Sequence, residues 1–241
     1  MEVSKLNRRS FLAFGGAALA ATSALASGLP SPKSMAAALP PITDVPKKKV
    51  LLIGDFVKKR YQTRVMDMLS EKAEIISPME NCGNSMDVLR NMEGWIKKYD
   101  PDIVHVNTGF EDIRTLYYGS NENLLSKKAY ERNVYNLLDM IYIFSEKAVP
   151  VWATITPINE EVLAAEKLKL KDFSIFADDI TEYNSRALKA CKRLKVTVND
   201  LYTVVNYSGG NSLFDQNGID FNRKGNESIA RAVVTQIENF I

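Results

Sequence analysis

The chain has 241 residues, of which 46% are hydrophobic and 25% are charged, an ordinary globular composition with enough length for one well-cored domain. Its 31 basic and 29 acidic residues give a formal net charge of +2, which provides no electrostatic basis for nucleic-acid binding. With one histidine, two cysteines and no CxxC pair, the sequence also disfavours a zinc or haem site.

The N-terminal segment, residues 1–26, has the features of an export signal. Arg8 and Arg9 precede an apolar run rich in Ala and Gly, which ends at a small-x-small cleavage site, residues 24–26. Twin arginines before a weakly hydrophobic stretch resemble a twin-arginine (Tat) signal, although Asn7 stands where Ser or Thr is usual. The run is too short and too rich in Ala for a membrane span. We therefore predict a periplasmic or extracellular protein with no stable membrane anchor after processing.

Residues 27–48 predict an extended, Pro-rich linker, because Pro40, Pro41 and Pro46 disfavour a helix. A second small-residue cluster would allow cleavage as late as residue 38. Removing residues 1–26 takes away three of the 31 basic and one of the 29 acidic residues, which leaves 28 of each and a neutral mature protein. The folded domain is predicted to span residues 49–241.

The first half of this domain predicts alternating strands and helices. A continuous apolar run at residues 50–53 is typical of a strand buried on both faces. Gly54 and Asp55 end this strand, so Asp55 and Phe56 are expected at the edge where ligands bind in open α/β sheets. Apolar spacing then predicts, in order, a helix at 58–72, a strand at 73–77, a loop at 78–85, a helix at 87–98 and a strand at 103–107.

The second half continues the alternation. Residues 109–125 form a loop long enough to be functional. Ser126 is predicted to cap a helix that runs to residue 147, and Asn222 to cap the last helix. Between them we predict a strand at 150–155, a partly helical segment at 159–177, a helix at 178–195 with Leu188 facing the core, a strand at 196–198 and a helical turn at 201–205. The whole is an α/β fold, a three-layer α/β/α sandwich with about five mainly parallel strands.

Four blocks of this sequence resemble the SGNH (GDSL) hydrolase superfamily. They are IGDF at 53–56, NCGNS at 81–85, VNTGFEDI at 106–113 and NGIDFNRKG at 217–225, in the order of that family. The resemblance implies a flavodoxin-like sandwich and, in active members, ester hydrolysis. Those members use a Ser in the first block, a Gly and an Asn that bind the oxyanion, and an Asp-x-x-His in the last block.

The chain departs from this pattern at nearly every reacting position. Phe56 stands where the resemblance places the nucleophile, and Glu111 where it places the oxyanion Asn. Asn217 and Asp220 replace the Asp and the His, and Gly83 is kept. A benzyl group cannot form the covalent intermediate, and a carboxylate offers acceptors where a donor is needed. The sequence therefore predicts a protein without the Ser-His-Asp machinery.

The remaining nucleophilic and basic groups do not replace that machinery. His105, the one histidine, falls inside the predicted third strand and is interpreted as a packed, hydrogen-bonded residue. Cys82 lies in a loop with no nearby base or cation to lower its pKa. Cys82 and Cys191 have no spacing that argues for contact, so two unpaired thiols are predicted, with a disulfide left open.

The predicted ligand cleft combines the substituted positions with their neighbours. Three carboxylates in it, Asp55, Glu111 and Asp220, could hold a divalent cation, although no cofactor is otherwise expected. Alternatively, like charges held close could form an acid/base pair of the kind that glycoside hydrolysis uses. A third interpretation is that Glu111 and Asp220 reflect drift after loss of catalysis. The cleft residues are Asp55, Phe56, Gly83, Asn84, Glu111, Asn217 and Asp220.

Two functions follow as hypotheses. The first is an exported, non-catalytic protein that binds a small carbohydrate, an acylated ligand or a cell-envelope protein. The second is an active hydrolase of esters or glycans that uses Glu111 and Asp220 with water or a metal ion. The sequence indicates neither the ligand nor the oligomeric state.

Overall fold

The computed structural model of the protein describes residues 46–78, 81–170 and 172–241. The predicted signal segment and nearly all of the predicted linker lie outside these ranges. Within them, no helix combines the length and the apolar character that crossing a membrane requires.

The centre of the domain is a parallel sheet of five strands in the order β2-β1-β3-β4-β5. The apolar residues of β1 have no exposed surface, because β1 lies between β2 and β3 and carries helices on both faces. In this register Gly54 at the end of β1 pairs with Asn107 at the end of β3. The strands are β1 (Lys48–Gly54), β2 (Ala73–Ile76), β3 (Ile103–Asn107), β4 (Val149–Ala153) and β5 (Thr197–Asn199).

Helices cover the sheet in two layers, which completes the predicted three-layer sandwich. One layer pairs α1 with α8, and the other places α2, α4 and α6 side by side. The described helices are α1 (Phe56–Leu69), α2 (Ser85–Tyr99), α3 (Phe110–Ile113), α4 (Lys127–Phe144), α5 (Glu160–Leu170), α6 (Ala177–Leu194), α7 (Leu201–Ser208) and α8 (Arg223–Glu238), with a short 3-10 helix at Gly210–Leu213.

Most of the predicted elements are found with small shifts of their ends, and Ser126 and Asn222 cap α4 and α8 as expected. The prediction for Leu188 was wrong, because this side chain is 40% exposed. The buried stripe of α6 runs through Ile180, Tyr183 and Ala187, and Leu188 is one residue, or about 100°, away from it. Cys82 and Cys191 are both buried and do not form a disulfide with each other, as predicted.

Gly54 is the point of closest approach between β1, β3 and α1. A Cβ added there would lie 2.4 Å from the carbonyl oxygen of Asn107 and 2.7 Å from Cβ of Lys58. The first of these atoms is backbone in a hydrogen-bonded sheet and cannot move away without breaking the register. The fold therefore requires glycine before the first site residue.

We expect Gly54→Ala to lower the free energy of unfolding by about 3 kcal/mol, the upper range for overpacking a core. Gly94→Ala in α2 is the matched control, because nothing lies within 4 Å of its added Cβ. That control should be neutral or raise stability by up to about 1 kcal/mol, since alanine favours a helix interior. Urea unfolding measures both, and equal effects of the two variants would contradict the packing argument.

Candidate functional site

The predicted site lies where β1 and β3 end and α1, α2 and α3 begin. We call it the strand-end site. It comprises Asp55, Phe56, Gly83, Asn84 and Glu111, together with Asp220, which contacts Arg60 of α1, and Asn217, which is bonded to Asp220. Asp55 is buried and connects the elements that form the site. One carboxylate oxygen accepts from the N–H of Val57, 3.0 Å away, and so caps α1. The other accepts from the N–H of Phe110 at 3.1 Å and ties α3 to the end of β1. Burial raises the pKa of Asp55 to about 7.

Phe56, where the sequence resemblance places the nucleophile, is the first residue of α1. Its half-buried ring packs against Phe110, with ring centroids 5.3 Å apart and planes tilted by 52°. This geometry is a favourable aromatic contact. The position from which a serine would attack is therefore part of an apolar pair.

The backbone of Gly83 has a left-handed conformation, with φ of +78°. The N–H of Gly83 already has a partner. It donates to Oδ1 of Asn81 at 2.9 Å. The amide of Asn81 in turn donates to Oε1 of Glu111 at 3.1 Å, and the other oxygen of Glu111 lies 3.6 Å from Nε of Arg114. The donor that the resemblance assigns to the oxyanion is thus used within the protein.

Asp220, at the position of the general base, is paired with Arg60. Nε and a terminal nitrogen of the guanidinium donate to the two carboxylate oxygens at 2.9 and 2.8 Å, a bidentate arrangement. Asn217 donates to the same carboxylate at 3.0 Å. Because the Arg60 side chain is 54% exposed, the pair adds about 1 kcal/mol or less to stability. Its chief effect is to neutralise the charge of Asp220.

Sequence analysis did not identify Arg60, whose partner Asp220 lies 160 residues further along the chain. A local signal exists in retrospect. Arg60 follows Phe56 by four residues, so both lie on the same face of α1.

The structure does not bring Asp55, Glu111 and Asp220 together as one group of cation ligands. Asp55 accepts two backbone N–H groups, Glu111 an amide and Asp220 a guanidinium, so each carboxylate is oriented by different donors. Across residues 46–78, 81–170 and 172–241, no three His, Cys, Asp or Glu side chains are placed to hold a metal ion. The separate partners of Glu111 and Asp220 also leave the acid/base hypothesis without geometric support.

Asn84 and Asp112 have structural roles. The Asn84 side chain caps α2 by accepting from the N–H groups of Met86 and Asp87. Asp112 accepts from both N–H and Oγ of Ser85, at 2.9 and 2.6 Å, and so fixes α3 against the start of α2. Burial raises the pKa of Asp112 to about 6.

His105 lies inside the sheet with no exposed surface, as the sequence indicated. Its Nε2 is 3.2 Å from the side-chain amide of Asn199. Burial lowers the pKa of His105 to about 4, so the ring is neutral at pH 7. His105 is therefore a buried core residue and does not take the place of a catalytic base.

Two clefts adjoin the strand-end site. The Trp95 cleft, about 290 Å³, lies beside Gly83 and presents amide and carboxylate groups around one aromatic ring; it is lined by Asn81, Cys82, Gly83, Asp87, Asn91 and Trp95. The apolar cleft, about 310 Å³, is formed by α5 and the segments before α4 and α6; it is lined by Tyr118, Gly119, Glu160, Leu163, Ala164, Lys167, Ser174, Ile175 and Phe176.

The apolar spacing of residues 87–98 predicts a helix but does not identify this cleft. Trp95 is half-buried and lines the cleft. Asn91, one turn earlier, also lines it. A tryptophan and an asparagine four residues apart are the local signal that could have identified the cleft.

No family model matches the sequence, and no curated protein sequence does either. Solved structures match over most of the domain. A lipase/acylhydrolase from Enterococcus faecalis is similar with a TM-score of 0.64 at 16% identity, covering 80% of this chain and 96% of its own. The chain has the SGNH hydrolase fold. The expectation from the four sequence blocks is thereby confirmed at the level of the fold.

Two further SGNH neighbours have comparable similarity. A GDSL-like lipase from Bacteroides thetaiotaomicron has a TM-score of 0.62 at 14% identity, covering 80% of this chain and 89% of its own. A family 3 carbohydrate esterase from Clostridium thermocellum has a TM-score of 0.58 at 16% identity, covering 80% of this chain and 96% of its own.

The buried carboxylates of this domain predict an unusual pH dependence of stability. The pKa of Asp55 rises from 3.8 to about 7 on folding, so its contribution is fully present below pH 3.8 and is lost as pH rises through 7. The contribution of Asp112 to stability changes in the same direction and is lost as pH rises through about 6. His105 acts oppositely, since its contribution is lost as pH falls from 6.5 through about 4.

We expect Asp55→Asn to remove part of the stability loss between pH 4 and 7, on the order of 2–4 kcal/mol. The variant also places an amide donor opposite the N–H of Phe110, which costs stability at every pH, so the slope is the readout. Asp67→Asn, on the exposed face of α1, is the control and should leave the slope unchanged. Urea unfolding at several pH values measures this, and parallel slopes for Asp55→Asn and the wild type would contradict the assignment.

Proposed function

We propose that this protein is a non-catalytic ligand-binding protein built on the SGNH fold, and that its ligand is a glycan. The observation that carries the first part is the set of contacts at the strand-end site. Phe56 packs on Phe110, the N–H of Gly83 is bonded to Asn81, and the carboxylate of Asp220 is paired with Arg60. Each of these three groups already has a partner inside the protein.

These replacements act on different steps of ester hydrolysis. Without a hydroxyl at residue 56 there is no acyl-enzyme intermediate. Without an imidazole at residue 220 nothing takes up a serine proton, and a neutralised carboxylate beside Arg60 is a poor substitute. Without a free N–H at Gly83, charge on a carbonyl oxygen is not stabilised. Restoring one group leaves the other two steps blocked.

The Trp95 cleft supports a glycan as the ligand. Sugars combine apolar ring faces with hydroxyl groups, and this cleft combines an indole with the side chains of Asn81, Asp87 and Asn91. The similarity to a carbohydrate esterase from Clostridium thermocellum concerns the fold and is compatible with this ligand class. The apolar cleft favours a second candidate, an acylated ligand whose chain contacts Leu163, Ile175 and Phe176.

We further propose that the protein acts outside the cytoplasm. The support is the sequence pattern of residues 1–26, with Arg8 and Arg9 ahead of a weakly apolar run and a small-residue cleavage site. A glycan or acylated molecule of the cell envelope, or a protein that carries one, is then accessible to it.

The purified protein should not hydrolyse aryl esters or aryl glycosides and should not react with a fluorophosphonate probe. Phe56→Ala and Phe56→Ser should behave identically in these assays, because a serine at residue 56 finds neither a base nor an oxyanion donor. Stoichiometric labelling of Phe56→Ser alone would overturn the assignment of the site. Turnover by the wild type that is lost with EDTA, with Glu111→Gln or with Asp220→Asn would instead support the hydrolase hypothesis.

We expect the protein to bind at least one neutral xylo-, cello- or chito-oligosaccharide. Trp95→Ala should weaken this binding at least tenfold, because it removes the stacking surface. Tyr207→Ala is the control, because Tyr207 is an aromatic residue that is 89% exposed on α7. Calorimetry measures both. Sugar binding that Trp95→Ala leaves intact would contradict the Trp95 cleft, and binding of a fluorescent fatty acid that is lost in Phe176→Ala would favour the acylated ligand.

A further inference from the structure

A second concave surface lies between α4 and α6, away from the strand-end site. We call it the basic groove; its volume is about 480 Å³ and it is lined by Lys128, Glu131, Arg132, Tyr135, Arg186, Lys189, Ala190 and Arg193. Five of these eight residues are cationic and one is acidic. For a domain with balanced charge overall, this is a strong local excess of positive charge.

The charges of the basic groove are not compensated by the protein. Its one carboxylate, Glu131, is paired with Arg186 at 3.0 Å. Among the residues that the structure describes, ion pairs include none of Lys128, Arg132 and Lys189, all of which are exposed. Arg193 lies over the ring of Tyr135, 4.5 Å from its centroid, and its guanidinium remains exposed. Four cationic groups are therefore available to an anion.

The two helices arrange these cations in parallel rows. Since α4 and α6 both connect parallel strands, they run in the same direction, and the contacts Glu131–Arg186 and Tyr135–Arg193 set their register. The rows extend from Lys128 to Tyr135 on α4 and from Arg186 to Arg193 on α6. Seven residues of helix correspond to about 10 Å. The groove thus fits an extended ligand with several negative groups along its length.

We propose that the basic groove binds a linear acidic polysaccharide through the carboxylates of its uronic acid units. Arginine binds carboxylates in a bidentate manner, and the lysines add charge at less strictly oriented positions. The concave shape fits a chain rather than a flat lipid surface. A nucleic acid would require a broader basic stripe and aromatic rings for base stacking, whereas Tyr135 is the one aromatic residue lining the groove.

The test uses the Trp95→Ala variant, in which the Trp95 cleft does not contribute, and compares at low salt the binding of an oligogalacturonate with that of a neutral cello-oligosaccharide and of an oligodeoxythymidylate whose charge equals that of the uronate. We expect the uronate to bind and the other two to bind at least tenfold more weakly. The double variant Arg132→Glu and Lys189→Glu should lose at least tenfold in uronate affinity. Lys59→Glu with Lys224→Glu, exposed on α1 and α8, changes the net charge equally and should retain wild-type affinity.

A milder double variant, Arg132→Gln with Lys189→Gln, keeps the test valid if charge reversal disturbs folding, which thermal unfolding would reveal. Equal losses in the groove variant and in its charge-matched control would overturn the proposal, as would absence of uronate binding. Tighter binding of the oligodeoxythymidylate would overturn it in favour of a nucleic acid. Trp95→Ala should leave uronate binding unchanged. A negative result for the basic groove would therefore not count against glycan binding in the Trp95 cleft, and the reverse also holds.

Discussion

The carboxylate of Asp55 is the interaction on which the strand-end site depends. It lies at the end of the central strand β1 and accepts one N–H from α1 and one from α3. These two hydrogen bonds fix the positions of Phe56 and Phe110 and allow their rings to pack. Burial opposes the ionised form, so the pKa rises to about 7 and the interaction is maintained at some cost in stability at neutral pH. Asp55 thus acts as a structural carboxylate beside Phe56, the residue at which the sequence resemblance places the nucleophile.

The substituted positions form two closed hydrogen-bonded networks. One joins Gly83 to Asn81 and Asn81 to Glu111, and the other joins Arg60 to Asp220 and Asn217. The charged groups of these networks therefore have partners within the protein. Any reaction or ligand at the strand ends would first have to break these contacts.

Local patterns in the sequence predicted most of the fold. Continuous apolar runs located the strands, and Ser126 and Asn222 marked helix starts because capping is a local hydrogen bond. Leu188 was placed wrongly because it borders the buried stripe of α6, where one residue decides exposure. The pairing of Arg60 with Asp220 could not be predicted, since it joins residues far apart in the chain and depends on side-chain direction. The donors that orient Asp55, Glu111 and Asp220 could not be predicted for the same reason: chain position placed these carboxylates at one edge but did not show which donors each one meets.

The distribution of unpaired charge separates the strand-end site from the basic groove. At the strand ends Asp220 has Arg60 and Glu111 has Asn81 and Arg114, so an incoming ion would have to displace existing partners. Between α4 and α6, by contrast, exposed cations lie along about 10 Å of each helix, with no carboxylate other than Glu131 lining the groove. Their mutual repulsion is small in water and decreases with salt, and an anion that bridges them removes it while gaining charge-assisted hydrogen bonds. The unpaired charge that could bind an anionic ligand therefore lies on the helical face between α4 and α6 rather than at the strand ends.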